Sequence, residues 1–332
     1  MRVVVTDYIE PDLNWEHEQL SPLAVELDSY QLKAAPVERL IEATRDADIV
    51  VVNMAPVTSA LVSGWRKCSL VIRHGIGYDN VDVQALTKRG IPLVNIPDYC
   101  PEEVAEQAIA LLYALARKIV FSRTILERSS RQGEWNFEGI APIHRMKGRT
   151  VGIIGCGRIG SRVLRKLSGS GMQLLVCDPY LSTQRQRELG IDVLRLEDVL
   201  ARADFVTLHT PLNDETRRLI SRSTLALMKP SAFLINTARA GLIENEALYE
   251  ALVNGRLAGA ALDVFSPEPP PADFPFFQLP NVILTPHLSW YSVEAEWEIR
   301  EKIVEQIKRK REGLPLLNCV NPEVLQGQGI DD

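Results

Sequence analysis

The stretch TVGIIGCGRIGSRVLRKL, residues 150–167, decides the fold because three glycines join a short apolar run to a helical segment. Gly155, Gly157 and Gly160 have the spacing Gly-x-Gly-x-x-Gly. In such a turn the first glycine permits a tight bend, the second lets the backbone approach a pyrophosphate, and the third permits close packing of helix on strand. The N-terminus of the helix, predicted to begin at Arg158, then faces the negative charge. The stretch therefore predicts a dinucleotide-binding unit.

An acidic residue follows where such a unit requires one. The run LLVCD ends in Asp178, 18 residues after Gly160. A carboxylate there accepts hydrogen bonds from ribose hydroxyls and repels a 2′-phosphate, so we expect NAD rather than NADP. The alternative to a dinucleotide site is a purely structural turn in an α/β domain. The charge of Arg158 separately leaves some use of NADP open. The residues predicted to contact the cofactor at this turn are Gly155, Gly157, Arg158, Ile159, Gly160 and Asp178.

Short apolar runs recur along the chain and alternate with segments of helical periodicity. The runs are RVVVTD, DADIVVVN, SLVIRHG, IPLVNI, TVGIIG, LLVCD, ADFVTLH, AFLINT, AGAALDV and NVILTPH. Strands that are apolar throughout and alternate with helices predict parallel sheets covered on both faces. We therefore expect an α/β fold with two doubly wound parallel-sheet domains, a flavodoxin-like domain split around an inserted Rossmann domain.

The glycine turn lies near the middle of the chain, which is why its domain is predicted to be an insertion. Residues 1–98 and 289–332 are expected to form a substrate domain, and residues 99–288 the NAD-binding domain. The chain would cross between the domains twice. We expect closure at these crossings to press the loop RHGIGYD onto the nicotinamide and exclude water.

A long helix is predicted from Pro101 to Arg131, since EEVAEQAIALLYALARKI has a wide apolar face. The stretch RQGEWNFEGIAPIHRMKGR that follows resembles a loop and carries Trp135 and Phe137. Helix and arm, at about 101–148, predict a homodimer contact. An arm that packs within one subunit is the alternative.

Composition excludes several classes of protein. The chain has 332 residues, of which 46% are hydrophobic and 24% charged, and its net charge of −6 attracts neither nucleic acid nor an anionic membrane. The five cysteines are odd in number and never spaced Cys-x-x-Cys, which argues against disulfides and a zinc site. We expect no metal, and a cytoplasmic protein with neither a signal segment nor a membrane span.

Three later strand ends each deliver a polar residue: Arg239 after FLINTA, Glu268 after ALDVFSP, and His287 in ILTPH. Ligands bind beyond the carboxyl ends of parallel strands, so these side chains are expected to converge. His287 could give a proton to a carbonyl oxygen, Glu268 could hold the imidazole, and Arg239 could bind a carboxylate. The three together predict reduction of a 2-oxo acid, with the hydride supplied by the cofactor.

Six ordered motifs now carry a family resemblance. GCGRIG with Asp178, HTPLNDETRRLI, MKPSAFLINTARAGLIENEAL, GRLAGAALDVFSPEP, NVILTPHLSW and RHGIGYDNVDV resemble the signatures of the NAD-dependent D-isomer-specific 2-hydroxyacid dehydrogenases. The resemblance implies the same roles for Arg239, Glu268 and His287, and substrate binding by Arg73, Gly75, Ile76 and Gly77. It further implies cofactor contacts at His209, Thr210, Pro211, Thr216, Thr237, Ala238, Arg239, Asp263 and His287.

Within that family, HLSWYSVEAEWEIREKIVEQIKR and LLNCVNPE resemble the branch of the C-terminal-binding-protein corepressors. The resemblance implies that Trp290 lines the substrate pocket and that Arg73 approaches the carboxylate. Two residues depart from the common pattern. Ala240 replaces a glycine, and His74 stands where a small or aliphatic residue is usual, so it either contributes a proton-sensitive group or turns toward core or solvent.

The substrate is predicted only by class. NMAPVTS has no Lys or Arg where phosphoglycerate-type relatives often have one, which disfavours a phosphate. Met54, Tyr78, Tyr99 and Trp290 indicate an apolar side-chain pocket, although each could instead pack in a core. We therefore expect an apolar 2-oxo acid reduced to its D-hydroxy acid. The alternatives are an NAD-sensing corepressor-like protein, disfavoured by the absence of a long tail, and oxidation of phosphite or formate, the latter disfavoured by Glu268.

Overall fold

Two parallel sheets organise the chain, of which a computed structural model describes residues 1–136, 138–140 and 142–325. The chain divides into two compact units. Unit 1 consists of Met1–Tyr99 and the segment from Ser292 onward, and unit 2 consists of Cys100–Tyr291. Each unit has its own sheet, as the alternation of apolar runs and helical segments predicts.

The first part of unit 1 alternates strands and helices. Its elements are β1 (Arg2–Val5), α1 (Asn14–Leu20), β2 (Glu26–Ser29), α2 (Val37–Thr44), β3 (Ile49–Val52), α3 (Ser59–Gly64), β4 (Leu70–Arg73), α4 (Val83–Lys88) and β5 (Leu93–Val94).

The sheet of unit 1 has the order β2-β1-β3-β4-β5, and all its strand pairs are parallel. Strands β3 and β4 are buried along their whole length, as expected of a parallel sheet with helices on both faces. The carboxyl ends of β1, β3 and β4 therefore meet at one edge. That edge receives the loop that begins at Arg73.

Unit 2 follows the same alternation over a longer stretch. Its elements are α5 (Pro101–Ala116), α6 (Ile119–Gln132), β6 (Thr150–Ile154), α7 (Gly160–Leu167), β7 (Gln173–Cys177), α8 (Thr183–Leu189), α9 (Leu196–Arg202), β8 (Phe205–Leu208), α10 (Arg222–Leu225), β9 (Phe233–Asn236), α11 (Asn245–Val253), β10 (Gly259–Leu262) and β11 (Val282–Leu284).

The sheet of unit 2 has the order β11-β10-β9-β8-β6-β7 and is parallel throughout. Strand β6 lies between β7 and β8, so the direction of winding reverses there. Ligands of such sheets bind beyond the carboxyl ends of the strands at this reversal. The glycine turn that follows β6 is therefore at the position where a dinucleotide binds.

The prediction of one continuous helix from Pro101 to Arg131 is wrong. The structure has two helices, α5 and α6, separated at Arg117 and Lys118. Lys118 has a φ of 52°, a left-handed conformation that cannot continue a right-handed helix. Helix α7 likewise begins at Gly160, two residues later than predicted.

The arm after α6 exposes apolar surface, as the sequence suggests. Trp135 is 88% exposed, and α6 exposes Ile119, Val120 and Leu126. The other aromatic residue of the predicted contact, Phe137, lies outside the described residues. Within the described ranges, no helix combines the length and apolar character that a membrane crossing requires.

The last helix, α12 (Val293–Glu312), belongs to unit 1. Its buried face includes Ile299, Ile303 and Ile307, which recur every four residues. Val293 and Trp297 of the same helix are 61% and 43% exposed, so they lie off this buried face.

Candidate active site

The glycine turn between β6 and α7 has the shape that its spacing predicts. Gly155 has a φ of +87°, and a Cβ on it would lie 2.7 Å from the carbonyl oxygen of His209. A Cβ on Gly160 would lie 2.0 Å from the carbonyl oxygen of Gly155, so α7 packs directly on the turn. A Cβ on Gly157 would meet nothing within 4 Å, which leaves this backbone open to a ligand.

Asp178 holds the same turn from the end of β7. One carboxylate oxygen accepts a hydrogen bond from the backbone N–H of Cys156 at 2.8 Å, and the other accepts from Tyr180 at 3.0 Å. Each oxygen has a further lone pair for a ribose hydroxyl. Burial, followed by the charge of Asp178, raises the pKa of the Cys156 thiol to about 11, so this thiol stays protonated and unreactive.

The loops after β8 and β9 contain polar atoms that lack protein partners. His209 Nδ1 and Thr237 Oγ1 are buried without a hydrogen-bond partner among the described residues. Burial lowers the pKa of His209 to about 3, so its imidazole is neutral. Buried polar atoms without partners are rare, and they fit a site that a polar ligand completes. With the open backbone at Gly157, they fit the dinucleotide.

The side chain of Thr216 shapes the loop that it closes. Its hydroxyl donates to the carbonyl oxygen of Pro211 at 2.6 Å and accepts from the N–H of Asn213 at 2.9 Å. Thr210 and Ala238 each lie just beyond a strand, after β8 and β9. The family-implied contacts of these loops therefore follow adjacent strands of the sheet.

Asp263, fully buried at the end of β10, anchors the loop after β11. Its carboxylate accepts hydrogen bonds from Thr285 Oγ1 at 2.5 Å and from the N–H groups of Leu288 and Ser289 at 3.1 and 3.0 Å. These contacts fix the backbone on both sides of His287. The family resemblance implies a cofactor contact for Asp263, and the structure adds this role in holding the loop.

His287 and Glu268 form a hydrogen-bonded pair. His287 Nδ1 donates to Glu268 Oε2 at 2.7 Å, and the other carboxylate oxygen accepts from the N–H of Phe265 at 2.9 Å. The ring is one-third exposed and the carboxylate is more buried. Because Nδ1 is bound, Nε2 is the ring nitrogen that can exchange a proton with a ligand.

Arg239 follows β9 in a tight arrangement of backbone contacts. Asn236 Nδ2 donates to the Arg239 carbonyl oxygen at 2.8 Å, and Asn236 Oδ1 accepts from the N–H of Ala238 at 3.0 Å. The guanidinium donates to the carbonyl oxygen of Ala238 at 2.8 Å. Ala240 has no positive φ, so the departure from glycine at this position is compatible with the turn.

In unit 1, the loop from Arg73 to Gly77 follows β4. Gly75 has a φ of +141°, and a Cβ there would lie 2.4 Å from Arg73 Nη1. The guanidinium of Arg73 thus lies across Gly75, where it donates to the carbonyl oxygen of His74. Asn95 Nδ2 donates to the carbonyl oxygen of Ile76 at 2.7 Å and holds the far side of the loop.

Sequence reasoning did not single out two acidic residues beside this loop. Asp7, after β1, accepts hydrogen bonds from the N–H groups of Asn53, Met54 and Ala55. Glu10 accepts from His74 Nε2 at 2.7 Å, which places the His74 ring in the interior of unit 1. The signal was available, because VTDYIE puts both acids directly after an apolar strand.

The four residues of the predicted apolar pocket differ in exposure. Tyr99 is 8% exposed and packs in the core, whereas Tyr78 is 39% exposed and Met54 is half-buried. Trp290 is half-buried and contacts the ring of Tyr291 edge to face, with centroids 5.3 Å apart. Tyr78, Met54 and Trp290 each keep part of their side-chain surface exposed.

Known proteins with similar sequences or structures include two dehydrogenases and a reductase. D-3-phosphoglycerate dehydrogenase of Methanocaldococcus jannaschii is 38% identical over 97% of this chain, which spans 59% of that protein. Glyoxylate reductase of Korarchaeum cryptofilum is 38% identical over 91% of each chain. The crystal structure of D-lactate dehydrogenase from Aquifex aeolicus, complexed with NAD and lactic acid, has a TM-score of 0.82 at 28% identity over 98% of each chain.

A family profile matches more than half of the chain. Residues 109–289 match the NAD-binding domain of the D-isomer specific 2-hydroxyacid dehydrogenases. The matched range contains the glycine turn, Asp178, Arg239, Glu268 and His287. The resemblance to the corepressor branch stays a prediction. The chain belongs to the D-isomer specific 2-hydroxyacid dehydrogenase family.

Proposed function

We propose that the chain is an NAD(H)-dependent D-2-hydroxyacid dehydrogenase that reduces an apolar 2-oxo acid reversibly. The observation that carries the proposal is the 2.7 Å hydrogen bond between His287 Nδ1 and Glu268 Oε2, in a family with an NAD-binding domain. A histidine held in this way can exchange a proton at Nε2 with a carbonyl or hydroxyl oxygen. NADH, when bound, supplies the hydride.

The proposal gives each remaining residue a role in binding. Arg239, with Arg73 and the N–H groups of Ile76 and Gly77, binds the substrate carboxylate. Glu268 stabilises the protonated imidazole, because its negative charge lies at hydrogen-bond distance from the ring. Asp263 keeps His287 in place through the loop contacts described above.

The side chain of the substrate is proposed to be apolar. Met54, Tyr78 and Trp290 offer thioether and ring surface, and residues 53–59 contain no Lys or Arg to bind a phosphate. Two similar proteins carry the names glyoxylate reductase and D-3-phosphoglycerate dehydrogenase. Glyoxylate and a phosphorylated 2-oxo acid therefore belong in the test. Phosphite and formate complete the set of alternatives.

The experiment measures NADH consumption with a panel of 2-oxo acids that includes 4-methyl-2-oxopentanoate, phenylpyruvate, glyoxylate and 3-phosphohydroxypyruvate, and NAD reduction with formate and phosphite. We expect the highest kcat/KM with an apolar 2-oxo acid. His287→Asn is the inactive control, because asparagine tolerates the φ of 51° at this position better than most residues. Turnover of no 2-oxo acid at millimolar concentration would refute the activity, and a preference for the phosphorylated acid would refute the substrate class.

We further propose a homodimer formed through α6 and the arm after it. The large apolar side chains of Ile119, Val120, Leu126 and Trp135 are 50 to 88% exposed, which supports a contact with a second chain. Sedimentation velocity should give the mass of two chains, and Leu126→Lys with Trp135→Ser should shift the protein toward one chain. A monomeric wild-type protein at micromolar concentration would exclude this contact.

A further inference from the structure

His74, in the loop proposed to bind the substrate carboxylate, forms a buried hydrogen bond with Glu10. The side chains of His74 and Glu10 are 8% and 2% exposed, and their nearest atoms, Nε2 and Oε1, are 2.7 Å apart. The other oxygen of Glu10 accepts from the N–H of Ile9 at 3.0 Å. Burial raises the pKa of Glu10, but the hydrogen bond and charge of His74 outweigh it and lower the pKa to about 2. Glu10 is therefore an anion at any working pH.

His74 connects this anion to Arg73. The ring of His74 is bound by Glu10, and the backbone carbonyl of the same residue accepts from the guanidinium of Arg73. Gly75 leaves room for that guanidinium, since a Cβ would lie 2.4 Å from Nη1. A single residue thus has its side chain fixed in the core and its backbone fixed to the cation of the loop.

The pair lines a small cavity in unit 1, together with a second buried pair, Glu16 and Arg300. The cavity has a volume of about 20 Å³, large enough for about one water molecule. Buried ion pairs are often no more stable than apolar residues of the same volume. The buried pair in this loop is therefore weak evidence for a stabilising role, and a role in substrate binding is the alternative.

We propose that the His74–Glu10 pair positions the guanidinium of Arg73 for the carboxylate of the 2-oxo acid. His74 is a positioning residue, because it acts through Arg73 rather than on the reacting atoms. The proposal rests on the proposed function. It implies that loss of the pair weakens substrate binding much more than it slows the chemical step.

The test compares three variants with the wild type. His74→Gln keeps a donor near the position of Nε2, whereas His74→Leu removes it and leaves Glu10 buried without that partner. His74→Leu with Glu10→Met replaces both groups by apolar side chains of similar size, which restores a packed interior. Thr44→Val is the matched control, since it removes a buried hydrogen bond of unit 1, from Trp65 Nε1 at 2.7 Å, on a different element.

The measurements are KM and kcat for the best 2-oxo acid, the dissociation constant of the unreactive analogue oxamate in the presence of NADH, and thermal stability. For the double variant we expect KM and the oxamate constant to rise about tenfold to a hundredfold, the range for a lost hydrogen bond to a charged group. We expect kcat to stay within about threefold, the signature of lost binding rather than lost catalysis. His74→Gln should recover most of the affinity, and Thr44→Val should change stability alone.

The experiment distinguishes failure of the positioning role from failure of the proposed function. A wild-type protein that turns over 2-oxo acids, with a double variant of unchanged KM and oxamate affinity, overturns the positioning role alone. Equal losses in Thr44→Val and His74→Leu also overturn it, since they would show a general effect of stability. If the wild type turns over no 2-oxo acid, the proposed function fails, and oxamate affinity alone then decides the role of His74.

Discussion

At the scale of single residues, a substitution at Glu268 distinguishes a catalytic role of its pairing with His287 from a structural one. Glu268→Gln keeps the size of the side chain and an acceptor for His287 Nδ1 but removes the negative charge. We expect kcat for 2-oxo acid reduction to fall about a hundredfold, within the range of general acid–base contributions. Steady-state kinetics measure this, with the exposed Glu246→Gln on α11 as the control. Full activity in Glu268→Gln would show that the charge is dispensable.

Asp178 provides a second test at this scale. Its carboxylate binds the N–H groups of Cys156 and Tyr180 and is proposed to repel a 2′-phosphate. Asp178→Ala should raise the ratio of kcat/KM with NADPH to that with NADH at least about tenfold, because a nearby negative charge is lost. Asp192→Ala removes an exposed carboxylate of the same unit and should leave the ratio unchanged. An unaltered ratio in Asp178→Ala would contradict the ribose assignment.

At the scale of elements, the contact of α7 with the glycine turn determines whether the cofactor turn forms. Gly160→Ala would place a Cβ 2.0 Å from the carbonyl oxygen of Gly155, so the helix must move away from β6. We expect a loss of about 1 to 3 kcal/mol in the free energy of unfolding, typical of overpacking, and weaker NADH binding. Urea unfolding and NADH fluorescence titration measure the two effects. Gly169→Ala, whose Cβ would meet nothing within 4 Å, is the matched control, and equal behaviour of the two variants would contradict the account.

The elements also show what a sequence can predict. The ten apolar runs predict strands because a strand that is buried on both faces of a sheet is apolar along its whole length. Strand β2 was missed, since ELDS is an edge strand with Glu26 and Ser29 exposed and has no apolar run. The break between α5 and α6 at Lys118 has no sequence signal either. Lysine rarely adopts a left-handed backbone conformation, so its occurrence here depends on the surrounding structure.

The same limit applies to the candidate site. The glycine turn and Asp178 have a fixed spacing in the chain, so local sequence predicts them. The pair of Glu10 and His74 joins residues 64 positions apart, and only the folded sheet brings β1 and β4 to one edge. Local patterns locate the polar residues at strand ends but do not say which of them meet.

At the scale of the whole molecule, the discontinuous course of unit 1 makes it depend on α12. A chain truncated after Tyr291 lacks the helix whose isoleucines are buried in unit 1. We expect this chain to lose the cooperative unfolding of unit 1 and to bind NADH within about threefold of the full chain, because unit 2 is intact. Calorimetry and NADH titration measure the two properties. Truncation after Leu325 is the control, and a folded unit 1 without α12 would contradict the prediction.

The discontinuity of unit 1 also affects synthesis on the ribosome. Strands β1 to β5 emerge first, but the helix that packs with them follows only after all of unit 2. At 5 to 20 residues per second, the roughly 190 residues of unit 2 take about 10 to 40 s to translate. During this interval the nascent sheet has an uncovered apolar surface where α12 will pack. We therefore expect unit 2 to finish folding first, and the nascent chain to be a target for chaperones that bind exposed hydrophobic segments until α12 arrives.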